Sequence, residues 1–127
     1  MRLLLDTHTV IWFINGDSRL PQHIREMLED ETNIIYVSMI SLWEMSIKSR
    51  QGKLDLHRTL ADIVHLLHGN GFRLLTIRLS HVYRLDALAF HHKDPFDRML
   101  IAQSLAGGFV LVGSDDVFDR YGIRREW

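Results

Sequence analysis

Hydrophobic residues along the chain fall into two kinds of pattern. Leu3-Leu4-Leu5 is a dense apolar run closed by Asp6-Thr7, and Ile34-Ile35-Tyr36-Val37 and Val110-Leu111-Val112 are runs of the same kind. Short runs rich in β-favouring side chains predict strands over 2–5, 33–38 and 109–112, with a further strand over 73–77. Elsewhere the spacing is helical. Leu60, Ile63, Val64 and Leu67 recur at i, i+3, i+4 and i+7 until Gly69 and Gly71 stop them. Helices are also predicted over 8–14, 21–29, 40–50 and 80–90. Asp94-Pro95 opens another, which runs to about residue 106 and ends at Gly107-Gly108, and a short one follows over 114–121. Strands without polar alternation are buried on both faces, so their interleaving with helices predicts an α/β sandwich around a parallel sheet. Such sheets place ligand sites beyond the carboxyl ends of their strands.

Composition narrows the picture. The chain has 127 residues, 46% hydrophobic and 24% charged, a length and balance suited to one globular domain rather than a disordered chain. No apolar run is long enough to span a membrane, and Leu3-Leu4-Leu5 is too short for a signal-peptide core. With no Cys there are no disulfides and no thiolate ligands, so a cytoplasmic protein is expected. Sixteen acids against fifteen bases exclude a generic basic nucleic-acid binder. Twelve of those bases are Arg and three are Lys, a bias that suits phosphate contacts and equally a high-GC codon preference.

Four acids stand where a solvated charge would not be chosen. Asp6 ends the first strand, and Asp115 and Asp116 follow the strand at 109–112. Glu44 belongs to a helix whose apolar stripe is Ile40, Trp43 and Ile47 and is expected to point with that stripe, and Asp97 precedes Ile101 and Leu105 on the core-facing side of its helix. Each has an ordinary explanation: Asp6 as a helix cap, Glu44 as an i,i+4 partner of Lys48, Asp97 as a first-turn acid behind an Asp94 cap, Asp115 as a solvated first-turn acid. Taken together they converge at one end of the sheet, where like charges repel unless divalent cations neutralise them. Oxygen ligands without Cys select hard cations, Mg²⁺ or Mn²⁺, and such sites imply phosphate chemistry. With the four set aside, twelve acids face fifteen bases, enough positive surplus to approach phosphate locally.

Four blocks in order carry a resemblance. They are Leu4-Leu5-Asp6-Thr7-His8, Ser41-Leu42-Trp43-Glu44, the run from His92 through Asp94-Pro95-Phe96-Asp97-Arg98 to Gln103, and Ser114-Asp115-Asp116-Val117-Phe118 with Tyr121 and Trp127. Their order and spacing resemble the PIN-domain ribonucleases, in particular the VapC-like toxins of toxin–antitoxin pairs. The resemblance implies that residues 1–127 form a single nuclease domain with a three-layer α/β/α fold and central parallel sheet. It implies Mg²⁺- or Mn²⁺-dependent endoribonuclease activity, an RNA substrate, a cognate antitoxin protein and a homodimer. By position, Asp6, Glu44, Asp97 and Asp115 match the family's acidic quartet. Asp6, Asp97 and Asp115 would hold the metal with Glu44 completing the site, and a metal-activated water would attack phosphorus in line.

Four neighbours have auxiliary readings. Asp94 caps its helix, with an outer role at the metal open; Asp116 competes with Asp115; Thr7 supports the site through its hydroxyl; Arg98 either positions phosphate or is a structural partner of Asp94 or a nearby acid. Relatives often carry a hydroxyl residue shortly before the fourth acid, a stretch occupied here by Gly113 and Ser114. His91-His92 reads as a solvated turn, His8 as packing beside the site, and Trp12, Phe13 and Trp43 as core. A phosphoacceptor receiver domain, the alternative from another class, would need Asp after a middle strand and Lys after the last. Ser38 and Asp115-Asp116 stand there instead.

Overall fold

The computed structural model describes residues 1–127. Five strands, β1 (Arg2–Leu5), β2 (Ile34–Ser38), β3 (Arg73–Leu75), β4 (Val110–Val112) and β5 (Arg125–Glu126), form one parallel sheet in the order β3-β2-β1-β4-β5. The helices are α1 (Thr7–Asn15), α2 (Gln22–Glu29), α3 (Met39–Arg50), α4 (Leu60–Gly69), α5 (Leu79–Asp86) and α6 (Pro95–Gly107), with a 3₁₀ helix at Asp116–Tyr121. A receiver-type sheet runs 2-1-3-4-5, so the observed order departs from that alternative.

The central strand explains the layering. Leu3 and Leu5 face one apolar cluster and Leu4 the other, and all three are fully buried. The first cluster takes Val10, Ile24, Ile63 and Leu67 from α1, α2 and α4; the second takes Met99, Leu100 and Ile101 from α6. Helix α3 serves both, with Leu42 and Met45 in the first and Ile40 in the second. Each fully buried Leu contributes roughly 1.5–3 kcal/mol, so the run at 3–5 anchors both layers. No helix is long and apolar enough to cross a membrane.

The connections run from β1 through β2 to β3 on one side and from β4 to β5 on the other. Leu5 pairs with both Val37 and Val112, so β1, β2 and β4 end level with one another. The crevice at the carboxyl end of β1 and β4, where the order reverses, is where such sheets bind ligands.

Two elements end well short of the sequence reading, and one strand is absent from it. The strand at 73–77 stops at Leu75. The helix predicted over 80–90 runs from Leu79 to Asp86, because Arg98 takes the carbonyls of Leu88 (3.3 Å) and Ala89 (2.8 Å) and draws that segment away from helical pairing. Strand β5 is too short and polar to leave a hydrophobic signature; backbone bonds from Leu111 N to Arg124 O (2.9 Å) and from Gly113 N to Glu126 O (3.3 Å) fix it.

Candidate active site

The chain turns from β1 into α1 at Asp6. Its Oδ1 accepts hydrogen bonds from the Thr9 amide (2.8 Å) and the Thr9 hydroxyl (2.6 Å), so the residue caps the helix and its carboxylate is held rigid. Its other oxygen lies against Gly113, where a Cβ would come within 2.5 Å of Oδ2. Only glycine leaves room for the carboxylate where β4 ends. The ordinary and the functional readings of Asp6 therefore hold at once.

Glu44 is 3% exposed on α3. It accepts a hydrogen bond from the Thr7 hydroxyl (2.5 Å) and pairs with Lys48 one turn on. The Thr7 hydroxyl also lies 3.1 Å from Ser41 Oγ. Burial lowers the Lys48 ammonium's pKa, but the hydrogen bond and charge of Glu44, with Asp94 and Asp97, outweigh it and hold the group above its usual range.

Helix α6 supplies the third acid. Asp94 caps it, Oδ1 accepting from the Phe96 amide (2.9 Å) and the Asp97 amide (3.1 Å), with Pro95 preset for the first turn. Asp97 projects from that turn, and His92 Nε2 lies 2.9 Å from its Oδ2. Asp115 caps the 3₁₀ helix, accepting from the Val117 amide (3.0 Å).

These residues line one cleft of about 300 Å³, which takes Asp6, Glu44, Asp94, Asp97 and Asp115 from four parts of the chain, together with Thr7, His8, Lys48 and His92. The electrostatics show the cost of gathering them. Burial drives Asp6 above the usual carboxylate range against the Thr9 hydrogen bonds, and the charge of Glu44 adds to the rise. Burial also lifts Asp97, to about 6; His92 works against the rise, while Asp94, Asp6 and Glu44 add to it. Asp6 and Glu44 are buried, Asp94 and Asp97 half-buried, and Asp115 is exposed, so the last is not withheld from solvent as the sequence suggested. Carboxylates gathered so closely that they repel one another are a donor set for a hard divalent cation. The tightest group of ligand atoms is His92, Asp94 and Asp97, all within 4.8 Å of one another.

Asp116 and Arg98 do not line this cleft. Arg98 is buried. Besides the Leu88 and Ala89 carbonyls it reaches the Tyr121 hydroxyl (3.3 Å), and its guanidinium lies 4.5 Å from the Phe90 ring centroid. Its donors hold the segment after α5, which agrees with the structural one of its two readings, except that its partners are main-chain carbonyls and a hydroxyl rather than an acid. Trp43, expected in the core, is 59% exposed and sits edge-on to Phe96 at 5.8 Å, because the Ile40 and Glu44 side of α3 faces inward instead. Phe13 is buried and Trp12 half-buried against the first cluster, as a core reading requires. His92 lines the cleft rather than a solvated turn.

Sequence reasoning passed over Thr9 and Arg125 and gave Gly113 no part in holding Asp6. Thr9 stands three residues beyond the Asp6 cap, a spacing that signals local hydrogen bonding and could have exposed it. Gly113 and Arg125 carry no such signal. Arg125 donates to the Gly113 carbonyl (3.0 Å) and to both Asp119 oxygens (2.8 and 2.9 Å), tying β5 to the loop that carries Asp115.

No curated protein sequence matches the chain. Among solved structures, VapBC2 from Rickettsia felis bound to a DNA fragment from its promoter is similar at 16% identity and a TM-score of 0.75, over 99% of this chain and 98% of that one. DNA-bound VapBC from Salmonella typhimurium matches at 24% identity and a TM-score of 0.75 (99% and 97%). VapBC-1 from nontypeable Haemophilus influenzae matches at 17% and 0.74 (99% and 97%). These likenesses establish the fold. Residues 3–124 match the PIN domain, and the chain belongs to the PIN-domain family.

Proposed function

We propose that the chain is a divalent-metal-dependent endoribonuclease acting as the toxin of a toxin–antitoxin pair. One observation carries the reading: five carboxylates from distant parts of the sequence share one small cleft at the strand-order reversal of a parallel sheet.

Asp6, Asp97 and Asp115 are the proposed holders of Mg²⁺ or Mn²⁺, with Glu44 completing the site and Asp94 and His92 beside Asp97. A bound ion of this kind supplies Lewis acidity toward the phosphodiester and an activated water. The protein's own part is positioning. Thr9 and the space at Gly113 fix Asp6; Thr7 and Lys48 fix Glu44; the Asp94 cap and His92 fix Asp97. With such an ion bound, water would attack phosphorus in line, the bond from phosphorus to the leaving oxygen would break as that oxygen took up a proton, and no side chain would serve as nucleophile.

An antitoxin and a second copy of the chain are the proposed protein partners. Support for the first is the likeness to VapBC structures. Support for the second is the outward face of α5, where Leu79, Val82 and Tyr83 are exposed beside Phe90. The chain would then act in the cytoplasm, on RNA.

Induced expression of wild type and of Asp6→Asn in a bacterial host, followed by mapping of RNA ends, tests the reading. Arrested growth and new ends with wild type alone are expected. Equal growth and no new ends with wild type would overturn it.

A further inference from the structure

A nuclease site must hold more of its substrate than the scissile phosphate, and the acidic cleft cannot do so with its own cations. Its one permanent cation, Lys48, is bound to Glu44, and Arg98, outside the cleft, is committed to main-chain carbonyls. A cationic surface adjoins the cleft through a shared wall. His8 lines both the acidic cleft and a larger open one of about 660 Å³, built from α1, the segment after it and the connection between α3 and α4.

Three permanent cations line this second cleft: Arg19, Lys53 and Arg58. The Lys53 ammonium has no carboxylate or hydrogen-bond partner. Arg58 makes one long contact, 3.4 Å, to the Ile14 carbonyl and no ion pair. Arg19 pairs with Asp17 at 2.6 Å and lies 5.1 Å from the Trp12 ring centroid, which holds its planar head in place. Of the two acids there, Asp17 is spent on Arg19, and Asp55 faces His57 at 3.4 Å and caps its amide at 2.9 Å. His57 is held at a φ of +58° by this turn, which sets where Arg58 leaves the loop.

We propose that this second cleft is the track for single-stranded RNA next to the scissile bond, with Lys53 and Arg58 each contacting a backbone phosphate and Arg19 closing the far side. The inference rests on the nuclease reading and names the surface that reading requires. Such contacts position the strand without reading its sequence.

Binding of a fluorescein-labelled single-stranded RNA of mixed sequence, followed by anisotropy at several salt concentrations, tests the track. The full chain carrying Asp97→Asn, in chelator, keeps cleavage out of the readout. Adding Lys53→Ala and Arg58→Ala is expected to raise Kd about tenfold and to flatten the salt slope by about 1.4, since each single-strand phosphate contact contributes about 0.7. Lys53→Glu alone, at an exposed position without partners, is expected to raise Kd roughly fivefold; it decides the matter if the double variant fails to fold by circular dichroism. Unchanged Kd and slope overturn the track, as does loss of binding to a polyglutamate peptide with RNA binding intact, which makes the cleft a peptide site. If wild type fails to cut the same RNA in Mg²⁺ or Mn²⁺ while the variants still lose RNA binding, the nuclease reading falls and the track stands.

Discussion

Asp97 and Asp119 are the same residue in opposite surroundings. Asp119 is exposed and receives both arms of the Arg125 fork, so that hydrogen bond holds its carboxyl below the usual range, and its charge helps to fasten β5. Asp97 is largely buried among Asp94, Asp6 and Glu44, and is pushed up to about 6. One carboxylate stabilises the fold; the other is held at a cost the fold does not recover by itself. That sign difference separates a structural acid from one placed for a cation or a substrate.

The largest expected effect comes from removing the costly charge. Asp97→Asn should lower RNA cleavage by at least about a hundredfold while leaving the melting temperature equal or higher. Asp119→Asn should do the reverse, lowering the melting temperature and leaving cleavage within about threefold. Parallel cleavage assays and thermal melts check the pair; comparable loss of cleavage in both would erase the distinction.

Gly113→Ala comes next. Its added methyl would lie 2.5 Å from Asp6 Oδ2, so it must displace the carboxylate or the end of β4. A loss of roughly ten- to a hundredfold in kcat is expected, with about 1–3 kcal/mol of destabilisation in urea titrations. Arg98→Ala should cost about 2 kcal/mol by freeing the segment at 88–90, with KM for RNA unchanged; a raised KM at unaltered stability would restore Arg98 as a phosphate contact.

The pH dependence is smaller and has a definite sign. The Asp97 pKa rises on folding from 3.8 to about 6, so between those values the folded chain keeps a proton that the unfolded chain has lost. Its contribution to stability therefore falls as pH rises through that window, by on the order of 2 kcal/mol after discounting for its partial solvent contact. Metal-free urea titrations of wild type against Asp97→Asn should show this difference between pH 4 and 7. Asp119 contributes in the opposite sense, its stabilisation being lost as pH falls.

Much of this was legible in the chain. Apolar runs marked β1, β2 and β4, and Asp6 stood out because a carboxylate directly after Leu5 is withheld from water; Asp115, reached through Gly113-Ser114, is exposed, as its solvated first-turn reading had it. Burial on one helix stripe singled out Glu44 in the same way. The periodicity could not show which way a polar side chain would be recruited by a distant backbone. Arg98 beside the quartet read either as a phosphate contact or as the partner of an acid, yet it closes the carbonyls left open when α5 ends early. Trp43 sits between Leu42 and Glu44, and its apolar character gave no hint that α3 would turn it outward. Strand β5 and the close approach at Gly113 arise from tertiary pairing, which no local pattern encodes.

The central claim is that a divalent cation would relieve a gathering of carboxylates in which Asp6 and Glu44 are buried and Asp97 half-buried beside the exposed Asp115. Thermal melts of wild type and Asp97→Asn with increasing Mn²⁺ at pH 7.5 test it most directly. The account predicts that Mn²⁺ raises the melting temperature of wild type saturably and leaves Asp97→Asn nearly unchanged. Equal shifts in both proteins, or none in wild type, would contradict it.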